Sequence, residues 1–257
     1  MELPPEIRRD VQGHIVTVTI NRPEAMNAVT AEMSAALDAA FDEFDANPDL
    51  WVAVLTGAGD KSFCAGFDLK EAIPRLLAGD MMGYEDPEKR QFSTVYKPII
   101  AAINGQCIAG GLEMVAGTDV RIAAEHATFS LGEVRWGLIP MGGSHIRLPR
   151  QLPWAVAMEL LLTGQPIDAR RAYEVGMLNR VVPAQELLAA AMQLAETVCK
   201  NGPLAVRTAK EIAVRALRQE EGFALERELG MRVIASEDAR EGPRAFSEKR
   251  PPKFKGR

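Results

Sequence analysis

Ile108-Ala-Gly-Gly-Leu-Glu113 joins an apolar run to the start of a helix, and a similar small-residue junction, Cys64-Ala-Gly-Phe-Asp-Leu69, stands before it in the chain. Glycine at such a junction lets the backbone approach a ligand closely, and the first amides of a helix have no intrahelical acceptor, so they are available to negative charge. Two such amides converging on one point would make an oxyanion hole. The run before Ile108 is Ile99-Ile-Ala-Ala-Ile103, opened by Lys97-Pro98 and closed by the tight turn Asn104-Gly105, which reads as a strand. Gly110-Gly111 then starts a helix through about Ala116, followed by strands at 120–123 and 128–130.

The same alternation holds upstream. Gly13-His-Ile-Val-Thr-Val-Thr-Ile20 is rich in β-branched residues and stops at Asn21-Arg22-Pro23, where proline removes a ladder donor, so it reads as a strand. Thr30 caps a helix with apolar residues at Met33, Leu37, Ala40, Phe41 and Phe44, ended by Asn47-Pro48. Trp51-Val-Ala-Val-Leu-Thr56 suits a strand buried on both faces. After a polar, poorly periodic stretch over 78–88 the pattern returns. From Gly143 onward helical periodicity dominates, over 154–163, 168–175, 184–200, 203–217 and 219–235. The reading is an α/β fold with its strands in the front and helices at the back.

Composition excludes several classes. The 257 residues are 47% hydrophobic and 25% charged with a net charge of −5, an ordinary globular balance without the basic field of a nucleic-acid binder. The N-terminus has no apolar leader and no stretch nears the ~20 apolar residues that span a bilayer, so no membrane role and a cytoplasmic location are expected. Cys64, Cys107 and Cys199 are widely separated, and His14, His126 and His145 share no ligand spacing with them, so no metal is assigned. Thr56-Gly-Ala-Gly-Asp-Lys-Ser62 looks like a phosphate loop but lacks the third glycine and the following helix of a dinucleotide fingerprint, and its lysine is misplaced for a P-loop. Ser144 has Gly142 before it but Ile146 after it, so no nucleophile elbow is present.

Two carboxylates remain. Glu113 sits in the first turn of its helix, where the dipole favours it and where it could simply cap. Glu133 lies among Leu131, Val134 and Trp136, just before the glycine-rich Gly137–Gly143, and could simply pair with Arg121 or Arg135. An apolar neighbourhood raises a carboxyl pKa, so Glu133 is expected to be the protonated member. Glu220, Glu221, Glu226 and Glu228 read as a solvated helix face and the basic tail from Lys249 as a frayed end; the sharper alternative has these helices exchanged between subunits and the tail meeting a phosphate.

At this point the residues resemble the crotonase, or enoyl-CoA hydratase/isomerase, superfamily over nearly the whole chain. The matching pieces stand in order: Asn21 to Ala28, Phe63 to Lys70, Pro98 to Glu113, Ala127 to Gly143, Leu162-Thr-Gly164, Ala172 to Val182, and Glu241 to Lys255. The resemblance implies a spiral of ββα units over 1–195, a helical oligomerisation region over 196–257, and a homotrimer or homohexamer. It implies a 2-enoyl-CoA hydratase whose thioester oxygen is held by the amides of Phe67 and Gly110 and whose acid/base pair is Glu113 and Glu133. Met26, Ala28, Ala65, Asp68, Leu69 and Lys70 would line the coenzyme A channel and Met141 the acyl pocket. No cofactor is implied beyond the coenzyme A of the substrate. Isomerisation or a specialised dehydration on the same acyl-CoA scaffold stands as the alternative, with a non-catalytic binding role behind it. Three departures bear on the acyl group: Gly132 replaces the usual proline before the second glutamate, Met141 a common glycine, and Ser144-His145 a common Gly-Thr.

Overall fold

The structure is a computed structural model that describes residues 3–78 and 86–255. The middle of the polar 78–88 stretch therefore lies outside the described residues, as do the last two residues of the basic tail.

The chain opens with a hairpin, β1 (Ile7–Gln12) antiparallel to β2 (Ile15–Ile20), turning at Gly13-His14. Helix α1 (Ala31–Ala46) follows, its first turn capped by Thr30, whose hydroxyl accepts from the Met33 amide at 3.2 Å. It buries Met33, Leu37, Ala40, Phe41 and Phe44, the residues whose spacing predicts the helix. Next come β3 (Val52–Gly57), β4 (Ser62–Cys64) and α2 (Leu69–Leu77), then β5 (Ile99–Ile103), β6 (Gln106–Ile108) and α3 (Gly110–Ala116), then β7 (Val120–Ala124) and β8 (Thr128–Ser130).

These last three pairs of strands build a spiral. In each turn the first strand joins the larger sheet, ordered β1-β2-β3-β5-β7 with β10 (Arg180–Val182) at its edge. The second joins the smaller sheet, ordered β4-β6-β8 with β9 (Ile167–Asp168) at its edge. Each helix α2 and α3 then carries the chain on to the next turn, so successive strands of one sheet are parallel. The ββα spiral that the resemblance implies is the fold observed. Stacking is locked at the corners: Asn104 after β5 accepts from the Gly57 amide and donates to Gly59 and Ser62 carbonyls of the preceding turn. Val52, Val54, Ile99 and Ile100 are buried, with β3 and β5 covered on both faces by two apolar clusters. Each such side chain contributes ~1.5–3 kcal/mol on leaving water.

The helices are α4 (Ser144–Gln151), α5 (Trp154–Thr163), α6 (Ala169–Glu174), α7 (Leu187–Cys199), α8 (Pro203–Ala216), α9 (Glu220–Ile234) and α10 (Glu237–Ser247). Helix α7 covers the outer face of the large sheet with Leu187, Ala191 and Ala195, against Val52, Val54, Ile100 and Ile122. Helices α9 and α10 fold back over the smaller-sheet side and meet the 132–145 segment. There Gly230 passes so close to the Met141 side chain, and Gly242 so close to the Trp136 carbonyl, that a Cβ on either glycine would overlap its neighbour. Among the described residues no helix is long and apolar enough to cross a membrane.

Candidate active site

A cavity of about 350 Å³ opens where the two glycine junctions meet the roof formed by α9 and α10. Its wall carries Ala65, Phe67 and Leu69 from the first junction, Gly110 and Glu113 from the second, Glu133 and Trp136 from the 3-10 turn at 132–136, Met141, and Ile234 and Phe246 from the roof.

The junctions touch. Gly66 has φ +89, outside the range of ordinary residues, and a Cβ there would lie 2.9 Å from Ala109 Cβ and 3.1 Å from the Gly110 nitrogen. Gly111 is pressed onto Cys64: a Cβ on it would overlap the Cys64 carbonyl, so only glycine lets α3 start against the end of β4. The Phe67 backbone is held by a bridge to Val29, with Val29 donating to Gly66 O and Asp68 donating to Val29 O. Ala109, just before Gly110, takes φ +53 and ψ −125, a strained conformation for a residue with a Cβ. Local strain at the head of α3 is thus held by the surrounding sheet, whose Ser130 carbonyl accepts the Ala109 amide. Gly110, first residue of α3, presents an amide without an intrahelical acceptor.

Glu113 does not cap its own helix. Its side chain, 4% exposed, crosses to the 142–144 segment, where Oε1 accepts from the Gly142 amide at 2.7 Å, the Ser144 hydroxyl at 3.1 Å and the Ser144 amide at 3.4 Å. Burial, then the neighbouring charge of Glu226, pushes its proton affinity up, to about 7, against the lowering effect of those donors. The helix dipole read from sequence as favouring the carboxylate is outweighed. Glu133 as a residue is half-buried, yet its Oε2 is fully occluded and accepts no hydrogen bond from the described residues. Desolvation first and Glu113 second raise its proton affinity to about 8. Desolvation, the cause expected for Glu133, leads for both carboxyls, and donors oppose it at Glu113. Neither Arg121 nor Arg135 pairs with it in the described contacts: Arg121 is spent on the Ala116, Thr118 and Met177 carbonyls and on Gln151.

Of the residues tied by the resemblance to coenzyme A, Ala65 and Leu69 line the cavity, whereas Met26, Ala28, Asp68 and Lys70 stand outside its wall. They belong to the strip where 26–29 runs beside 65–68, joined by Ala65 donating to Met26 O. Asp68 is half-buried and engaged by Arg22 at 2.9 Å, which holds its carboxyl below the usual range. Asn27, which sequence reading left without a role, anchors this strip: it is fully buried, sits at φ +56, accepts from Arg22 N and donates to Ala58 and Ser62 carbonyls. Trp136 and Phe246, edge to face at 4.8 Å, were also missed, because nothing in their local sequence marks them as cavity-facing. The solvated-face reading of the 220–228 glutamates fails at Glu226, which is 5% exposed. The basic tail is tied to α10: Arg250 pairs with Glu241 and Glu248, and Lys255 with Glu237 at 2.8 Å. The histidines contact backbone carbonyls or Glu226, and among the described residues no cluster could hold a metal ion.

Comparison with known proteins shows the family of the chain. Residues 10–257 match the family described as enoyl-CoA hydratase/isomerase. The chain is 42% identical to enoyl-CoA hydratase EchA19 of Mycobacterium tuberculosis over 100% of its length and 99% of that protein. It is 40% identical to carnitinyl-CoA dehydratase of Proteus mirabilis, covering 96% of this chain and 97% of that one. The solved structure of carnitinyl-CoA hydratase from Mycobacterium avium superposes with a TM-score of 0.89 at 38% identity, over 99% of this chain and all (100%) of that one. Fold and sequence agree, and the chain belongs to the enoyl-CoA hydratase/isomerase family.

Proposed function

We propose that the protein catalyses reversible addition of water across the double bond of a 2-enoyl-CoA thioester, giving a 3-hydroxyacyl-CoA. The observation that carries this reading is the pair of carboxylates in one apolar cavity, both with raised proton affinity, beside two junctions whose backbones touch. In the mechanism, the thioester oxygen lies between the amides of Phe67 and Gly110, which stabilise it as it becomes an enolate. Glu113, whose Oε1 accepts hydrogen bonds as a carboxylate does, takes a proton from the attacking water, which adds to the β-carbon. Glu133, protonated, delivers its proton to the α-carbon, and its occluded Oε2 faces no competing donor among the described residues. The Gly142 and Ser144 donors keep Glu113 aimed.

The coenzyme A portion is assigned to the strip of Met26, Ala28, Asp68 and Lys70 outside the cavity, where Arg22 neutralises Asp68 next to an anionic ligand. The acyl chain points past Met141 and Trp136. No metal or redox group is invoked, since the thioester supplies the electron sink. A cytoplasmic location fits the free Cys64 and Cys107 in the core. The exposed apolar residues Leu204 and Ile212 of α8 and Trp154 and Leu162 of α5 favour a homotrimer or hexamer. A second reading, dehydration of a specialised 3-hydroxyacyl-CoA, is the same chemistry run backward and is favoured by the similarity to a carnitinyl-CoA dehydratase.

The test is hydration of a graded series of 2-enoyl-CoA thioesters by the parent, Glu113→Gln and Glu133→Gln. Each change should cost at least ~10²-fold in rate, the double variant little more. In deuterated water Glu133→Gln should lose exchange at the α-carbon of a bound acyl-CoA while Glu113→Gln keeps more of it. If neither change slows turnover, the hydratase reading falls.

A further inference from the structure

The segment 141–145 runs between two buried carboxylates and gives its hydrogen bonds to them alternately. Gly142 N donates to Glu113 Oε1 at 2.7 Å, Gly143 N to Glu226 Oε2 at 3.0 Å, Ser144 N to Glu113 Oε1 at 3.4 Å, and His145 N to Glu226 Oε1 at 3.2 Å. Glu226 comes from α9, far along the chain, and its side chain is 1% exposed. The His145 ring adds a contact to Glu226 Oε1 at 3.0 Å. On the other side of the strip the fully buried Arg90 donates through Nε to the Met141 carbonyl at 2.7 Å and through Nη2 to Phe223 O at 2.9 Å.

The distances separate two accounts of this cluster. As a simple ion pair, Arg90 and Glu226 would make their shortest contact with each other, yet that contact is 3.4 Å. Shorter bonds go elsewhere: Glu226 accepts from Gly143 N and His145 of the strip, and Arg90 donates to Met141 O on the strip and to the Lys89 and Phe223 carbonyls off it. Glu226 is therefore spent on the backbone that also donates to Glu113, and Arg90 holds that backbone at one point, the Met141 carbonyl. A carboxylate at the start of α4, whose N-terminal amides these are, is also favoured by the helix dipole.

We propose that Glu226 is a positioning residue for the reaction: with Arg90 it holds the 141–145 strip so that the Gly142 amide and the Ser144 hydroxyl stay aimed at Glu113. This rests on the reading of Glu113 as the group that takes the proton from water. Among the described residues, the charged side chains that bear on Glu113 are these. Glu133 faces it from the 132–136 turn and Glu226 from α9, while α4 presents Ser144; His145 and Arg147 of α4 are turned to Glu226 and to Phe223 and Gln91 O, and Arg90 approaches from behind the strip. Glu226 is the negative neighbour that sustains the proton affinity of Glu113, after burial. Removing its charge while keeping its shape should therefore both loosen the strip and make Glu113 a weaker base.

The experiment uses the full chain with crotonyl-CoA as the probe and compares Glu226→Gln, Glu226→Asp and Glu113→Gln. Glu226→Gln should lower kcat by ~10-fold or more, within the range that a small misplacement of a reacting group costs. KM should stay within about twofold of the parent, and the acid limb of the kcat profile should move to lower pH. A merely structural role would lower the melting temperature without moving that limb. Glu226→Asp keeps the charge and withdraws the oxygens, so its limb should stay in place while kcat still falls, and it decides alone if the glutamine variant does not fold. Parent-like kcat in a folded Glu226→Asp, or an unmoved limb with parent-like kcat in Glu226→Gln, would overturn the proposal while Glu113→Gln remains inactive. Full activity in Glu113→Gln would instead sink the underlying assignment of the base.

Discussion

Replacing Glu133 by glutamine should remove activity and yet shift the balance of folding in the variant's favour as pH rises. Desolvation, and after it the charge of Glu113, carry the Glu133 carboxyl from 4.5 to about 8. Below 4.5 the folded and unfolded chains both hold this proton and the group is neutral to stability. Between 4.5 and about 8 the folded protein keeps a proton that the unfolded chain has released, so stability falls with rising pH and the whole penalty is present above about 8. At ~1.4 kcal/mol per tenfold change in proton affinity, the penalty reaches on the order of 5 kcal/mol. Part of it belongs to the pair, because Glu113 relaxes when its neighbour is neutralised, so the expected relief is ~2–4 kcal/mol. The glutamine amide buries a new donor at a cost of ~1–3 kcal/mol that does not vary with pH. The decisive quantity is thus the variant's stability relative to the parent, followed from pH 5 to pH 9. Melting temperatures by circular dichroism should show the difference moving in the variant's favour by ~5–15 °C across that range. A difference that stays flat from pH 5 to pH 9 would refute the claim that this carboxyl is held protonated by the fold.

The same proton affinities predict a bell-shaped kcat profile with limbs at about 7 and about 8, belonging to the carboxylate pair as a unit; a flat profile from pH 6 to 9 would contradict it. Gly110→Pro deletes the assigned oxyanion donor at a first helical position, where proline is tolerated, and should cost ~10²–10³ in kcat. Gly110→Ala, whose Cβ would sit 3.5 Å from Phe67 Cδ2, should cost far less, and a folded proline variant with near-parent turnover would remove Gly110 from the mechanism. Gly142→Ala places a Cβ 2.7 Å from Glu113 Oε2 and 2.8 Å from its Cδ, so Glu113 must move; kcat should fall ~10- to 100-fold with little change in KM, and unchanged kinetics would show that its position is not critical. Sedimentation at micromolar concentration should find a trimer or hexamer, since Leu204 is 76% and Leu162 73% exposed in the single chain; a folded monomer would end that expectation.

The long strands and α1 were readable because their own residues carry the pattern: β-branched runs at 15–20 and 52–56, and a helical stripe from Met33 to Phe44. The short strands β4 and β6 were not, since Ser62–Cys64 and Gln106–Ile108 are extended by pairing with each other, a long-range fact with no local signature. Helices α2 and α10 carry Pro74, and Gly242 with Pro243, in their interiors, residues that weaken the local helical signal. In α10 Gly242 instead permits the close approach to the Trp136 carbonyl. The edge strand Ile7–Gln12 was missed because its alternation is mostly polar and exposed. Glu113 and Glu133 were legible through the motifs around them. Glu226 was not, because glutamates interleaved with apolar residues look the same whether the helix face is wet or pressed onto a loop.

The roof of the cavity has a consequence for how the protein comes into being. Its floor is made of residues 65–141, but Ile234, Pro243 and Phe246, and the Glu226 that steadies the strip, are supplied more than eighty residues later in the chain. During synthesis the two sheets can form while the pocket still lacks its lid and the Met141–His145 strip still lacks its bonds to Glu226. The complete cavity is therefore one of the last things the ribosome delivers, and a chain cut short near its end would resemble the finished protein in its sheets while having no closed chamber.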